Sequence, residues 1–200
     1  MPASPGRPRL ASQELLQEAA FELFQLRGYR ATSVDRIAKT AGFSRATFFN
    51  FFPSKAELFW VETDALIAGL RAALERGLES PRPAPLRAAL LAHAASLGSA
   101  SIPWALQHYR LMEAENDLVA SGASRVLGIT RMFADYLARR GAEGAAAGGT
   151  EGEGAGDRAA ARAAAAESAT LVALLLVAMR EWIDAGADRG SLRDHLELAL

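Results

Sequence analysis

The chain has 200 residues, a formal net charge of -1, 50% hydrophobic residues and no cysteine. That length suits one or two domains with a substantial core, and the lack of cysteine excludes disulfide frameworks, thiolate zinc sites and cysteine nucleophiles. The charge is uneven: residues 1–58 carry eight basic and five acidic side chains, a balance of +3 that leaves -4 for the rest.

Residues 1–9, rich in proline and arginine without an apolar run, are read as a disordered arm and not as a signal peptide. Ser12 is placed to cap a first helix in which Leu16, Ala20, Leu23 and Phe24 form one apolar stripe, ending at Gly28. Thr32 with Asp35 three residues later has the spacing of a capping box for a second helix whose Val34, Ile37 and Ala38 share a face. Gly42 can adopt the left-handed conformation that ends that helix, with Phe43 as a plug in the turn. Ser44 then caps a third helix over 45–51, with Phe48 and Phe52 turned inward and Arg45, Ala46, Thr47 and Asn50 left outside. Pro53 stops it, and Ser54 with Glu57 is expected to open a long helix from Lys55 to about Gly77. Two short helices about a tight turn, framed in this way, predict a helix-turn-helix over about 32–51 inside a DNA-binding domain of residues 10–54.

Residues 55–200 are expected to form a helical bundle, giving an all-α protein. Pro81, Pro83 and Pro85 interrupt the chain before helices over 86–97, from Pro103 through Leu118, and over 125–140. Residues 141–156 contain seven glycines and are read as a flexible, disordered loop within the bundle. The helix over 159–185 carries two apolar stripes. The stripe Leu171, Leu175, Ala178 and Trp182, with Leu192 and Leu196 on the last helix, is assigned to a homodimer interface, and the second stripe to the chain's own core. The longest uncharged apolar run, Ser168–Met179, has 12 residues, too few to span a bilayer, so a cytoplasmic protein without a membrane partner is expected.

Ile37, Ala38, Ala41, Gly42, Ser44, Thr47, Phe52, Ser54, Lys55 and Leu58 fall without a gap on the pattern of one known head domain. The chain resembles the TetR (tetracycline repressor) family of bacterial transcription regulators over about residues 10–70. The resemblance implies dimerisation through the last two helices in a four-helix bundle and an inducer pocket in the C-terminal bundle. It also implies that Lys55 grips the DNA backbone, and that Phe49 and Phe51 stand where relatives carry tyrosine and histidine or tyrosine. The DNA-facing set is then Thr32, Ser44, Arg45, Ala46, Thr47, Phe49, Asn50, Phe51 and Lys55. Within it, Ser44 and Thr47 are suited to phosphate at a helix amino end, Arg45 to guanine and Asn50 to adenine.

Trp104, His108, Tyr109, Met112, Phe133 and Met179 combine bulky apolar bodies with a few polar tips, the composition of a pocket for a small apolar or amphipathic ligand. No glycine precedes either lysine, and neither Gly-x-Ser-x-Gly nor His-Glu-x-x-His occurs, so no catalytic residues and no enzyme are expected. His93, His108 and His195 lie on separate segments, and neither a metal nor a cofactor is expected. The function expected is a dimeric repressor of a palindromic double-stranded operator, released by a small-molecule inducer. The alternatives are a ligand-independent dimeric regulator and a helical interaction protein with a degenerate DNA-binding head.

Overall fold

The computed structural model describes residues 9–148, 155–186 and 189–200, and among these the chain is helical without strands. The helices are α1 (Arg9–Arg27), α2 (Val34–Thr40), α3 (Arg45–Phe51), α4 (Val61–Leu78), α5 (Leu86–Ala94), α6 (Trp104–His108), α7 (Glu115–Gly148), α8 (Ala155–Asp184) and α9 (Leu192–Ala199), with 3-10 turns at Lys55–Trp60 and Ser99–Ser101. The all-α expectation holds. The chain forms two compact units, one of residues up to Thr63 with Trp104–Ser121, the other of Asp64–Pro103 with Gly122–Leu200. The boundary expected from the sequence lies after Ser54. Arg9, assigned to the arm, opens α1, and residues 1–8 lie outside the described residues.

In the first unit α1 packs on α2 and α2 on α3. Leu16, Ala20 and Phe24 of the α1 stripe, Ile37 and Ala38 of α2, and Phe48 of α3 have no exposed surface, nor do Leu58 and Phe59 beyond them. Burying several large aromatic side chains is what makes so small a head stable, at roughly 1.5–3 kcal/mol for each large apolar side chain. Gly28 and Gly42 take φ of 79° and 78°, the left-handed conformation that glycine adopts without a Cβ penalty. The N-cap of α2 is Ser33, whose side chain accepts from the Arg36 amide, and not Thr32. Thr32 is 1% exposed, and its hydroxyl donates to the Gly28 carbonyl at 2.9 Å, within reach of the Leu23 carbonyl at 3.3 Å. Ser12 also differs from expectation, lying buried inside α1 instead of capping it. Ser54 makes no side-chain cap bond, because the chain tightens into a 3-10 turn before α4 begins.

The helix expected from Pro103 through Leu118 is two helices. Glu113 takes φ of 55°, and the Ala114 amide reaches back to the Tyr109 carbonyl at 3.0 Å, so the chain turns out of α6 before α7 starts.

The second unit is built round Leu74, Leu86, Leu90, Phe133, Tyr136, Val172, Trp182 and Leu196, with α9 packed against both α5 and α8. The Tyr136 hydroxyl donates to the Ala84 carbonyl at 2.7 Å, and the Trp182 indole N–H to the Gly190 carbonyl at 3.2 Å. Ser191 and Asp194 form a reciprocal capping box at α9. Residues 141–148, expected in a loop, are the last turns of α7, and Ala155 and Gly156 already belong to α8; residues 149–154 lie outside the described residues. Alanines between the glycines explain this. Each Gly costs about 1 kcal/mol relative to Ala, while extending an existing helix needs no new nucleus.

The assignment of apolar faces is corrected. Leu171, Ala178, Trp182, Leu192 and Leu196 are buried in this unit's own core, and Leu175 packs against it partly buried. A side chain with no accessible area has none left to lose to a second copy. The face of α8 that stays outside carries Ala173, Leu176 and Val177, the last two 46% and 50% exposed. By length and composition alone, the stretch Arg158–Asp184 of α8 is long and apolar enough to cross a membrane, because alanines extend the apolar stretch past Glu167 beyond the 12-residue uncharged run.

Candidate nucleic-acid interface

α3 is anchored from below. Phe48 is fully buried and its ring lies 5.5 Å from that of Phe52, at a tilt of 43°. The Ser44 hydroxyl accepts from the Thr47 amide at 3.0 Å, and the two hydroxyls are 2.9 Å apart, which satisfies an amide at the amino end of the helix. With Phe48 fixed inward, the 3.6-residue period turns Arg45, Ala46, Phe49 and Asn50 to solvent, while Thr47 and Phe51 stand half-buried. Residues suited to phosphate and to base edges therefore share the outer surface of one short helix.

The Arg45 guanidinium does not float free. Its Nη1 donates to the Asp35 carboxylate at 3.0 Å, and its carbon lies 5.2 Å from the centroid of the Phe49 ring. Asp35, expected in a capping box, lies outside the expected DNA-facing set. The available signal was opposite charges at the opening of α2 and the opening of α3, which the turn at Gly42 brings alongside each other.

Two members of the expected set face inward. Thr32 is buried, with its hydroxyl engaged by backbone carbonyls, and this removes it from the DNA-facing surface. Lys55 donates from Nζ to the Tyr29 carbonyl at 2.6 Å and to the Thr32 carbonyl at 2.9 Å, and the same nitrogen stands 3.8 Å from the Tyr29 ring centroid. Burial lowers the Lys55 pKa, with the negative charge of Asp117 opposing. Burial, with Asp117 adding to it, pushes the Tyr29 phenol up to about 12. An ammonium has three protons, so two internal bonds leave Lys55 one for a phosphate.

The residues expected to line a ligand pocket are divided between the two units. Trp104, His108, Tyr109 and Met112 belong to the unit of the head. There the Trp104 ring stacks on Phe21 at 4.6 Å and on His108 at 4.3 Å, and its amide donates to Glu62 at 2.7 Å. Tyr109 is half-buried, with the Arg110 guanidinium 5.4 Å from its ring. Met112 is fully buried, and its carbonyl accepts from the Tyr29 amide at 3.1 Å. Phe133 and Met179 belong to the core of the second unit. That unit has a cleft of about 100 Å³ floored by Leu74, Leu78, Met132 and Tyr136, with Arg71, Glu75, Asp135 and Arg139 at its rim. None of the six expected residues lines it. Among the described residues, no group of three or more His, Asp or Glu side chains is placed to hold a metal ion.

Residues 16–60 match the family described as bacterial regulatory proteins, tetR family. A putative mycofactocin biosynthesis transcriptional regulator, MftR of Mycobacterium tuberculosis, is 34% identical over 70 residues, 35% of this chain and 35% of that protein. The transcriptional activator FasR of Mycolicibacterium smegmatis is 39% identical over 71 residues, 34% of this chain and 32% of that protein. The chain thus spans about a third of the length of the curated relatives it matches. Thermus thermophilus FadR, a TetR-family transcriptional repressor solved in complex with lauroyl-CoA, shares the fold with a TM-score of 0.51 at 23% identity, over 94% of this chain and 90% of that one. Residues 16–60 thus carry the helix-turn-helix head of the tetR family of bacterial regulatory proteins, and the chain shares its all-helical fold with FadR.

Proposed function

We propose that the chain is a dimeric transcriptional repressor of the bacterial cytoplasm that binds a palindromic operator through α3 and releases it when a small apolar or amphipathic molecule binds. The observation that carries this reading is the amino end of α3, where Ser44, Arg45 and Asn50 lie exposed above a buried Phe48. Hydroxyls at a helix amino terminus suit phosphate, and an arginine and an asparagine on the outer face suit guanine and adenine in the major groove. The dimer is assigned to the outward face of α8, since Leu176 and Val177 remain half-exposed there and a two-fold protein presents paired recognition helices to two half-sites. Ligand and operator must then weaken each other by the same factor.

The cleft in the second unit, about 100 Å³, is by itself smaller than the roughly 300–1,000 Å³ of typical small-molecule sites, and a second reading is a dimeric regulator that needs no inducer. One experiment addresses both. The full chain is used to select binding sites from a random duplex pool, the winning duplex is titrated across salt concentrations, and lauroyl-CoA, the ligand of the FadR structure, is added as the first probe. Selection of a two-fold symmetric site with salt-dependent affinity supports the DNA-binding reading, and no enrichment over scrambled duplex ends it. Release of the duplex by the acyl thioester supports an inducer. Retention across a panel of acyl and aromatic compounds favours the ligand-independent regulator.

A further inference from the structure

We infer that Asp35 is a positioning residue for DNA reading, one that acts through Arg45. Asp35 and the Phe49 ring hold the Arg45 guanidinium in one place, so that selectivity for a base pair is gained while overall attraction to DNA is reduced. The inference rests on the DNA-binding function proposed above.

The geometry is that of a clamp. Arg45 projects from the first turn of α3, and Asp35 from the first turn of α2. Their 3.0 Å hydrogen bond bridges the turn between the two helices, and Phe49, one helical turn beyond Arg45, sets its ring 5.2 Å from the guanidinium carbon. The carboxylate engages Nη1. A guanidinium has five N–H donors in a planar fork, so enough remain for the two acceptors of a guanine edge. Both partners are largely exposed, at 59% and 62% for Arg45 and Asp35. Exposed pairs of this kind add little to folding stability, so the contact's main effect is on where the guanidinium points.

Two consequences run in opposite directions. An unrestrained arginine loses rotamer freedom when it docks on a base, and holding it beforehand lowers that cost at the matching base pair only. A carboxylate on the DNA-facing surface opposes phosphates of every sequence equally. Phe49 gains a role too. A phenylalanine there lacks a hydroxyl for phosphate, but its face still attracts a guanidinium.

The test compares wild type with Asp35→Asn, Asp35→Ser, Arg45→Ala and the double variant Asp35→Asn/Arg45→Ala, each as the full chain. The probes are the duplex that wild type selects from a random pool and a scrambled duplex, both titrated at several salt concentrations. Asp35→Asn should lower the selected-to-scrambled affinity ratio by about three- to tenfold while scrambled-duplex affinity holds or rises. Base preference should relax at the same position as in Arg45→Ala. In the double variant, the Asp35 substitution should cause no further loss of ratio. Asp35→Ser repeats the measurement should the asparagine variant fold poorly. An unchanged ratio, or a loss that persists in the Arg45→Ala background, overturns the inference, the latter by showing that Asp35 acts on the fold. Wild type that selects no sequence overturns the DNA-binding reading itself, and with it this one, before any variant is compared.

Discussion

Lys55 Nζ stands 2.6 Å from the carbonyl oxygen of Tyr29 and 3.8 Å from the centroid of the same residue's ring. With its second bond, to the Thr32 carbonyl, the ammonium closes the segment between α1 and α2 against the start of the 3-10 turn at Lys55. The residue that the family resemblance assigns to the DNA backbone is therefore also a fastener of the head.

Lys55→Met should accordingly lower stability as well as DNA affinity. Removing the ammonium leaves two backbone carbonyls without their charged donor, and the cost should be about 2–4 kcal/mol. Arginine should not rescue it, since a planar fork cannot place one point charge between two carbonyls and a ring face. Chemical denaturation of the full chain tests the assignment. A variant that loses affinity for every duplex but melts like wild type would make Lys55 a phosphate contact alone.

Stability in mild acid should depend on His93. Burial lowers its pKa below the ordinary 6.5, and the positive charge of Arg76 lowers it further. The folded protein thus takes up this proton less readily than the unfolded chain. The stabilisation is fully present above pH 6.5 and is lost as pH falls through the lower folded value. Denaturation midpoints of wild type and His93→Gln at pH 7.5 and 5 should show a larger acid loss in wild type. Equal losses in both proteins would remove His93 from the account.

The faces of α8 can be separated by two substitutions. Trp182→Ala empties a fully buried site and should cost about 3–5 kcal/mol. Leu176→Glu alters a half-exposed position; it should leave the fold intact but place an unpartnered carboxylate in each copy of a two-fold interface. Sedimentation should then report folded monomers, with operator affinity lost along with the linked half-site. A folded, still dimeric Leu176→Glu protein would move the interface to another surface.

The local features of the head were legible in the sequence because short-range chemistry sets them. Gly42 ends α2 since a left-handed residue is needed there, Ser44 caps α3 through an amide three residues on, and the i, i+4 spacing of Phe48 and Phe52 turns both inward. Caps that depend on register were less secure: Ser33 and not Thr32 opens α2, because Thr32 is drawn under the Gly28 turn. Features that depend on distant packing were beyond the sequence. A 3.6-residue period reveals that α8 has two apolar faces but not which one meets α9, and only the folded chain assigns Trp182 to the core and Leu176 to the outside. Composition marked residues 141–148 as a loop, while continuity with α7 makes them helix. A lysine's identity gives its charge, but the direction of Lys55 Nζ follows from where the Tyr29 and Thr32 carbonyls end up. In the same way the sequence supplies Asp35 and Arg45 as two charges ten residues apart, and the turn between α2 and α3 makes them a pair, because contact between remote side chains is a property of the path the backbone takes between them.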